Sequence, residues 1–203
     1  MQINRKFFFD HVRQQMFGGA LTAPQVAGLT AILDMWKAAH AADDERWLAY
    51  MFATAFHETD KKMQPIKEYG SDAYFNKRYG PPPVGQNPGL AKALGNTQPG
   101  DGARFAGRGF VQLTGRTNYT TWGTRLGLDL VGHPDLALDL TAALRILDHG
   151  MVHGSFTGKK LSQYFNATTE DWTGARRIIN GTDKAAIIAG YGKAFYAAIS
   201  HVP

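Results

Sequence analysis

"DDERWLAYMFATAFHET", residues 43 to 59, decides how the chain is read. Asp43, Asp44 and Glu45 open it, and carboxylates at a helix N-terminus meet the positive end of the backbone dipole. Trp47, Leu48, Met51, Phe52 and Ala55 follow at three- and four-residue steps, so one helical face can be buried. This helix is predicted to end near Thr59. Upstream, Val26, Leu29, Ile32, Leu33 and Trp36 repeat the same period behind a Thr22 cap and an early Pro24, which predicts a helix over 23–40. Further helices are predicted around 4–16, 116–126, 138–153, 169–179 and 183–200. The fold class is therefore mainly α.

The 203 residues suffice for one sizeable core, and a single domain over 1–203 is the expectation, although a cleft between two lobes also fits that length. With 44% hydrophobic and 19% charged residues the composition is that of a soluble globular protein. The absence of cysteine excludes a disulfide framework, a thiolate metal site and a cysteine nucleophile. "MQINRKFFFDHVRQQM", residues 1 to 16, has three consecutive Phe before Asp10 and His11, too few for a secretory signal. No apolar run approaches the roughly 20 residues that span a bilayer. The expectation is cytoplasmic synthesis without a Sec signal and no membrane insertion, which leaves open where the protein works. A formal charge of +5 and a pI near 9.4 favour a polyanionic partner, either nucleic acid or the anionic wall. The basic residues come in pairs (Lys61 and Lys62, Lys159 and Lys160, Arg176 and Arg177) without a long run, which argues against nucleic acid.

"GARFAGRGFVQLTGRTNY", residues 102 to 119, is rich in glycine and arginine. Read as an extended segment, it puts Phe110, Gln112 and Thr114 on one face and Val111 and Leu113 on the other, so that Gln112 and Thr114 form a polar ledge over a buried aliphatic pair. Gly107 and Gly109 flank Arg108 and permit a close backbone approach. The alternative is a hairpin edge carrying a solvated arginine. The preceding stretch from about 80 to 103 clusters Pro and Gly, which forbids long regular elements and leaves a loop with freedom to move.

Two carboxylates stand out. Glu58 lies at the C-terminal end of its helix after a run of apolar or small residues, and the dipole and partial burial there both disfavour a charged carboxylate. Glu68 sits in a polar segment between Lys67 and Tyr69, which suits an ionised group. Environments that push two carboxyls apart are what an acid and a base require, and glycosidic bond cleavage uses such a pair. Taken alone, either residue reads first as a surface or capping group. The zinc reading of "HET" fails because position 61, where a second His is needed, is Lys. No G-x-S-x-G is present to support a serine nucleophile, and Gly107-Arg108-Gly109 lacks the remainder of a phosphate loop. "GARRIINGTDKA" offers Asn180-Gly181 as a helix end in which Asn180 takes the left-handed conformation, or as an amide directed at a sugar.

The ordered set "FHET", "KEYG", "GRGFVQLTGRTNY" and "RRIINGT" resembles the family 19 glycoside hydrolases, in particular the phage and prophage endolysin branch of the lysozyme-like superfamily. The resemblance covers roughly residues 45 to 195. It implies an α+β lysozyme-like fold of two helical lobes with a small β element flanking a substrate cleft, and β-1,4 cleavage beside N-acetylated amino sugars with no cofactor and no metal. Carried over by position, Glu58 matches the general acid, Glu68 the second carboxylate that serves as base or orients water, and Thr114 the hydroxyl that helps hold the attacking water. Gln112, Asn118 and Asn180 match polar contacts to substrate, Tyr69 joins them, and Arg108 braces the site. The carboxylates of the plant chitinases are separated by a longer insertion, so Glu68 is matched by its motif and not by spacing. Lys184 is the nearest candidate for the basic residue those enzymes place before Gly190-Tyr191. The expected activity is that of a monomeric peptidoglycan hydrolase, a muramidase working by inversion on a polysaccharide substrate. A chitinase is the alternative, and a sugar-binding module without turnover is the third option.

Overall fold

The computed structural model describes residues 3–200. Helices α1 (Arg5–Gln15), α2 (Ala23–Ala39) and α3 (Glu45–Glu58) lead into strand β1 (Ile66–Lys67). Helices α4 (Asp72–Tyr79), α5 (Pro88–Ala93) and α6 (Asp101–Arg104) precede strand β2 (Arg108–Gly109). Helices α7 (Arg116–Leu126), α8 (Leu140–His153) and α9 (Ala185–Ile199) complete the order. The fold is mainly helical with one small antiparallel sheet, in which Ile66 faces Gly109 and Lys67 faces Arg108. By its contacts the chain divides into two compact units, one comprising Met1–Gln64 with Leu147–Pro203 and the other Pro65–Ile146.

In the first unit α3 is the core helix. Every residue from Leu48 to Phe56 is buried, so this helix is enclosed on all sides and is not a one-faced amphipath. Phe52 stacks on Phe195 of α9 at 5.2 Å between ring centroids, and Phe8 of α1 packs on Phe52 at the same distance. Asp44 caps α3 by accepting from the Arg46 amide, as the acidic opening predicted. The Thr22 cap of α2 is likewise found, in a reciprocal capping box with Gln25. α2 buries Leu29, Ile32, Leu33 and Trp36. The helix predicted over 169–179 is not formed: only a 3₁₀ turn at Gly174–Ile178 is helical, and Glu170 pairs instead with Phe165 in an isolated bridge. Arg46 holds that bridge by donating to the Asn166 carbonyl at 2.8 Å, and Trp47 donates to the Phe165 carbonyl at 2.9 Å.

In the second unit, α4 was not anticipated. Ser71 caps it, accepting from the Tyr74 amide, and it places Phe75 and Tyr79 in a small core with Ala106, Leu90 and Leu94. The Pro- and Gly-rich stretch after it contains two short helices fastened by buried polar groups. Asn96 donates to the Tyr79 carbonyl and accepts from the Arg116 amide, both at 2.9 Å. Asp101 accepts from the amides of Thr97 and Gln98 and from the Arg116 guanidinium.

Candidate active site

β1 and β2 position the groups of the second unit. The Glu68 amide donates to the Gly107 carbonyl at 2.8 Å, which carries the strand pairing one residue further and fixes the backbone of Glu68. Its carboxylate is half-buried. Oε1 accepts from the Tyr79 hydroxyl at 2.9 Å, and Oε2 accepts from the Gly107 amide at 3.3 Å. Burial, then the hydrogen bond and charge of Glu68, push the Tyr79 phenol well above its ordinary value, so it stays a donor to Glu68 at neutral pH.

Residues 110 to 114 do not form the extended segment expected. Arg108 and Leu113 exchange both backbone hydrogen bonds, at 2.8 and 3.2 Å, which closes a tight turn over the residues between them. Gln112 takes a left-handed conformation (φ 53°) to complete it. Phe110 is therefore buried together with Val111 and Leu113, and does not share an outward face with Gln112. Alternation fails here because a turn residue with positive φ breaks the two-residue period. The polar ledge nonetheless forms. Thr114 donates its hydroxyl proton to the Gln112 carbonyl at 2.8 Å, and the Gln112 amide donates to the carbonyls of Ile66 and Gly109 at 3.1 and 3.2 Å. A β-carbon at Gly107 would lie 2.8 Å from Gln112 Oε1, 3.2 Å from Glu68 Oε2 and 3.3 Å from Thr114 Oγ1. Three side-chain oxygens thus converge where only glycine leaves room.

Arg108 is not a solvated hairpin arginine. It is buried, with Nη1 donating to the carbonyls of Arg104 and Ala106 and to the Tyr119 hydroxyl, and Nε to Asp135 at 2.8 Å. Those bonds tie the hairpin to α7. Burial pushes the Tyr119 phenol up to about 12, partly offset by the Arg108 charge and hydrogen bond. Asn118, one turn into α7, is exposed and donates to the Thr114 carbonyl at 2.7 Å. Tyr69 projects beside Glu68 with 61% of its surface exposed.

The first unit holds the other expected groups. Glu58 is the last residue of α3, and Thr59 ends the helix by donating its hydroxyl to the Ala55 carbonyl at 2.6 Å. Asp60, Lys61 and Met63 then take positive φ, so the chain turns away sharply. The Met63 amide donates to the Thr59 hydroxyl at 3.0 Å and pins that turn. The helix-end argument weighed only the dipole and burial, which disfavour a charged carboxylate; the structure adds an opposing cation, because Oε1 accepts from Nη1 of buried Arg176 at 2.6 Å. Oε2 makes no hydrogen bond to any described residue. Arg176 is itself oriented by donating Nε to the Asp183 carbonyl at 3.1 Å. Burial, against the attraction of Glu58, holds the neighbouring His57 below its ordinary value. Asn180 follows the 3₁₀ turn that carries Arg176, and its amide donates to the Arg176 carbonyl. It does not take the left-handed conformation. Its side chain accepts from the Gly181 amide at 2.8 Å, and positive φ falls on Lys184 instead.

Sequence reasoning assigned Glu58, Glu68, Gln112, Thr114, Asn118 and Asn180 to one site; within the second unit the structure brings Glu68, Gln112, Thr114 and Asn118 together, and within the first Arg176 bonds both Glu58 and the Asn180 amide. Sequence reasoning missed the two residues that hold the carboxylates, Tyr79 and Arg176. Arg176 had a signal, since an arginine within "GARRIIN" is flanked by apolar residues that belong to a core. Tyr79 had none.

The glycoside hydrolase family 19 model, described as chitinase class I, matches residues 26–148. Chitinase 8 of Oryza sativa subsp. japonica is 62% identical over 32 residues, 16% of this chain and 12% of the rice protein. The acidic 27 kDa endochitinase of Solanum lycopersicum is 49% identical over 45 residues, 22% of this chain and 18% of the tomato protein. The matched stretches therefore span less than a fifth of either curated relative. Chitinase C from Streptomyces griseus HUT6037 superposes with a TM-score of 0.59 at 18% identity, covering 97% of this chain and 76% of that one. At that identity the likeness is one of fold.

Proposed function

The chain belongs to glycoside hydrolase family 19, and we propose that it hydrolyses β-1,4 links beside N-acetylated amino sugars, with chains of N-acetylglucosamine as substrate. The convergence of Glu68, Gln112 and Thr114 oxygens around Gly107 is the observation that carries this reading, because it supplies acceptors for a water and for the proton that water must lose. Glu68 serves as the base. The Thr114 hydroxyl, having given its proton to the Gln112 carbonyl, offers lone pairs to the same water. Glu58 serves as the acid through Oε2 while Arg176 holds Oε1. In an inverting step the water oxygen bonds to the anomeric carbon, the carbon–oxygen bond to the leaving sugar breaks, and the leaving oxygen takes the proton from Glu58 while the water proton passes to Glu68. Tyr69, Asn118 and Asn180 supply contacts to the sugar.

Chitin is preferred over the wall polymer expected from charge because the family description and all three relatives quoted above name chitinases. Peptidoglycan, with the endolysin-like role, stays as the second reading, favoured by the charge of +5 and pI of 9.4. Reducing-end release from chitin oligosaccharides and from purified peptidoglycan, measured for the native chain and for Glu58→Gln, tests both. Chitin cleavage that falls by about 100-fold or more in Glu58→Gln, with an unchanged circular dichroism spectrum, is expected. Cleavage of peptidoglycan alone transfers the assignment to the second reading. A near-native rate in the variant removes Glu58 as the acid.

A further inference from the structure

Within the second unit a pocket of about 570 Å³ is lined by none of the residues assigned to contact substrate or water, and shares only the bracing Arg108 with the hydrolytic site. Successive side chains on a strand point to opposite faces, so Lys67 enters this pocket while its neighbour Glu68 joins the Gly107 cluster. Lys67, Arg104, Arg108 and His133 line it together with Asp72 and Asp135. The charges do not cancel. Asp135 is paired with Arg108. Arg104 spends its donors on the uncharged carbonyls of Val131 and Gly132, which satisfy its hydrogen bonds and leave its charge unopposed. Lys67 has no partner among the described residues, so two cations remain against Asp72 alone. Arg108 is only 4% exposed, and its Nη2 has no acceptor among the described residues although the other two nitrogens are fully engaged. A largely buried guanidinium with one amine unused, held rigid by four backbone or side-chain acceptors, is a preorganised donor for an oxyanion.

We propose that this pocket is an anion-binding site that receives a carboxylate or phosphate group carried by a substituted amino-sugar polymer. Arg108 Nη2 and Lys67 supply the direct contacts, and Arg104 and His133 complete the rim. The site sits back to back with the Glu68 cluster on the same two strands, so it discriminates polymers bearing anionic substituents from neutral chitin. The pocket's anion chemistry stands apart from the hydrolytic assignment, whereas the choice of an amino-sugar polymer as its carrier rests on the proposed function.

The test is an NMR titration of the native chain, ¹⁵N-labelled, with N-acetylmuramyl dipeptide, with N-acetylglucosamine and with inorganic phosphate, at low and high salt. None of these ligands has a glycosidic bond, so the outcome does not depend on turnover. The carboxylated sugar is expected to shift Lys67, Arg104, Arg108 and His133 resonances, with affinity that weakens at high salt and falls roughly fivefold in the Lys67→Gln/Arg104→Gln double variant. Lys67→Gln alone, at an exposed position, repeats the measurement should the double variant fold poorly. Shifts from phosphate without shifts from the dipeptide support the anion site and assign its source to phosphate. Equal shifts with N-acetylglucosamine, or unchanged binding in both variants, overturn the proposal.

Discussion

Asp101 shows how one side chain can organise a long irregular segment. Only 2% of it is exposed, and it gathers two backbone amides and a guanidinium, with Arg116 Nη2 at 2.5 Å. Burial alone would raise its carboxyl, but the Arg116 hydrogen bond, the Gln98 and Thr97 amides and the Arg116 charge outweigh it and hold the group below its reference value of 3.8. A carboxylate lowered in the folded state contributes stability that is complete above the unfolded value and is lost as the pH falls through the folded one. Asp101→Asn should therefore cost about 3 kcal/mol at neutral pH, since it leaves Arg116 without its counter-ion. Urea unfolding should show the gap between native and variant closing as the pH is brought well below 4. A constant gap across that range would mean that Asp101 acts through shape and not through charge. The proline and glycine content of this stretch was legible as a break in regular structure, whereas the staple was not. It needs Arg116, 15 residues away, and only folding brings that partner back.

The 108–114 turn is the element on which the hydrolytic reading rests. Gly107→Ala should insert a methyl group against Gln112 Oε1 and Glu68 Oε2. Those side chains can rotate away more cheaply than the strand can move, so the melting temperature should change little while kcat falls about tenfold or more, at nearly constant KM. A parallel loss of stability and activity would show instead that the strand pairing had been broken. At this scale the helices were legible and the turn was not. A 3.6-residue period sustained over four turns, as in α2 and α3, admits no competing element. Five residues of alternating polarity fit a strand and a tight turn equally well, and the difference lies in the φ of Gln112, a residue type that gives no warning of it. The failure over 169–179 has the same origin, because apolar spacing there serves a 3₁₀ turn and an isolated bridge as readily as a helix.

For the molecule as a whole, family membership was written in four short ordered motifs, while the partners of its two carboxylates were not. Arg176 meets Glu58 across 118 residues of sequence, and Tyr79 meets Glu68 through packing of α4 that the sequence reading did not foresee. Net charge reports on what the surface attracts and not on which bond is broken, so it does not decide between chitin and the wall polymer. The central claim is that a water, activated beside Glu68 and Thr114, displaces a sugar whose leaving oxygen is protonated by Glu58. Its most direct test is the anomeric configuration of the first product released from a chitin oligosaccharide, read by proton NMR before mutarotation. Inversion at a β-link predicts the α-anomer. The β-anomer would contradict the account, because it requires a carboxylate or the sugar's own N-acetyl oxygen, in place of the water, to bond first to the anomeric carbon.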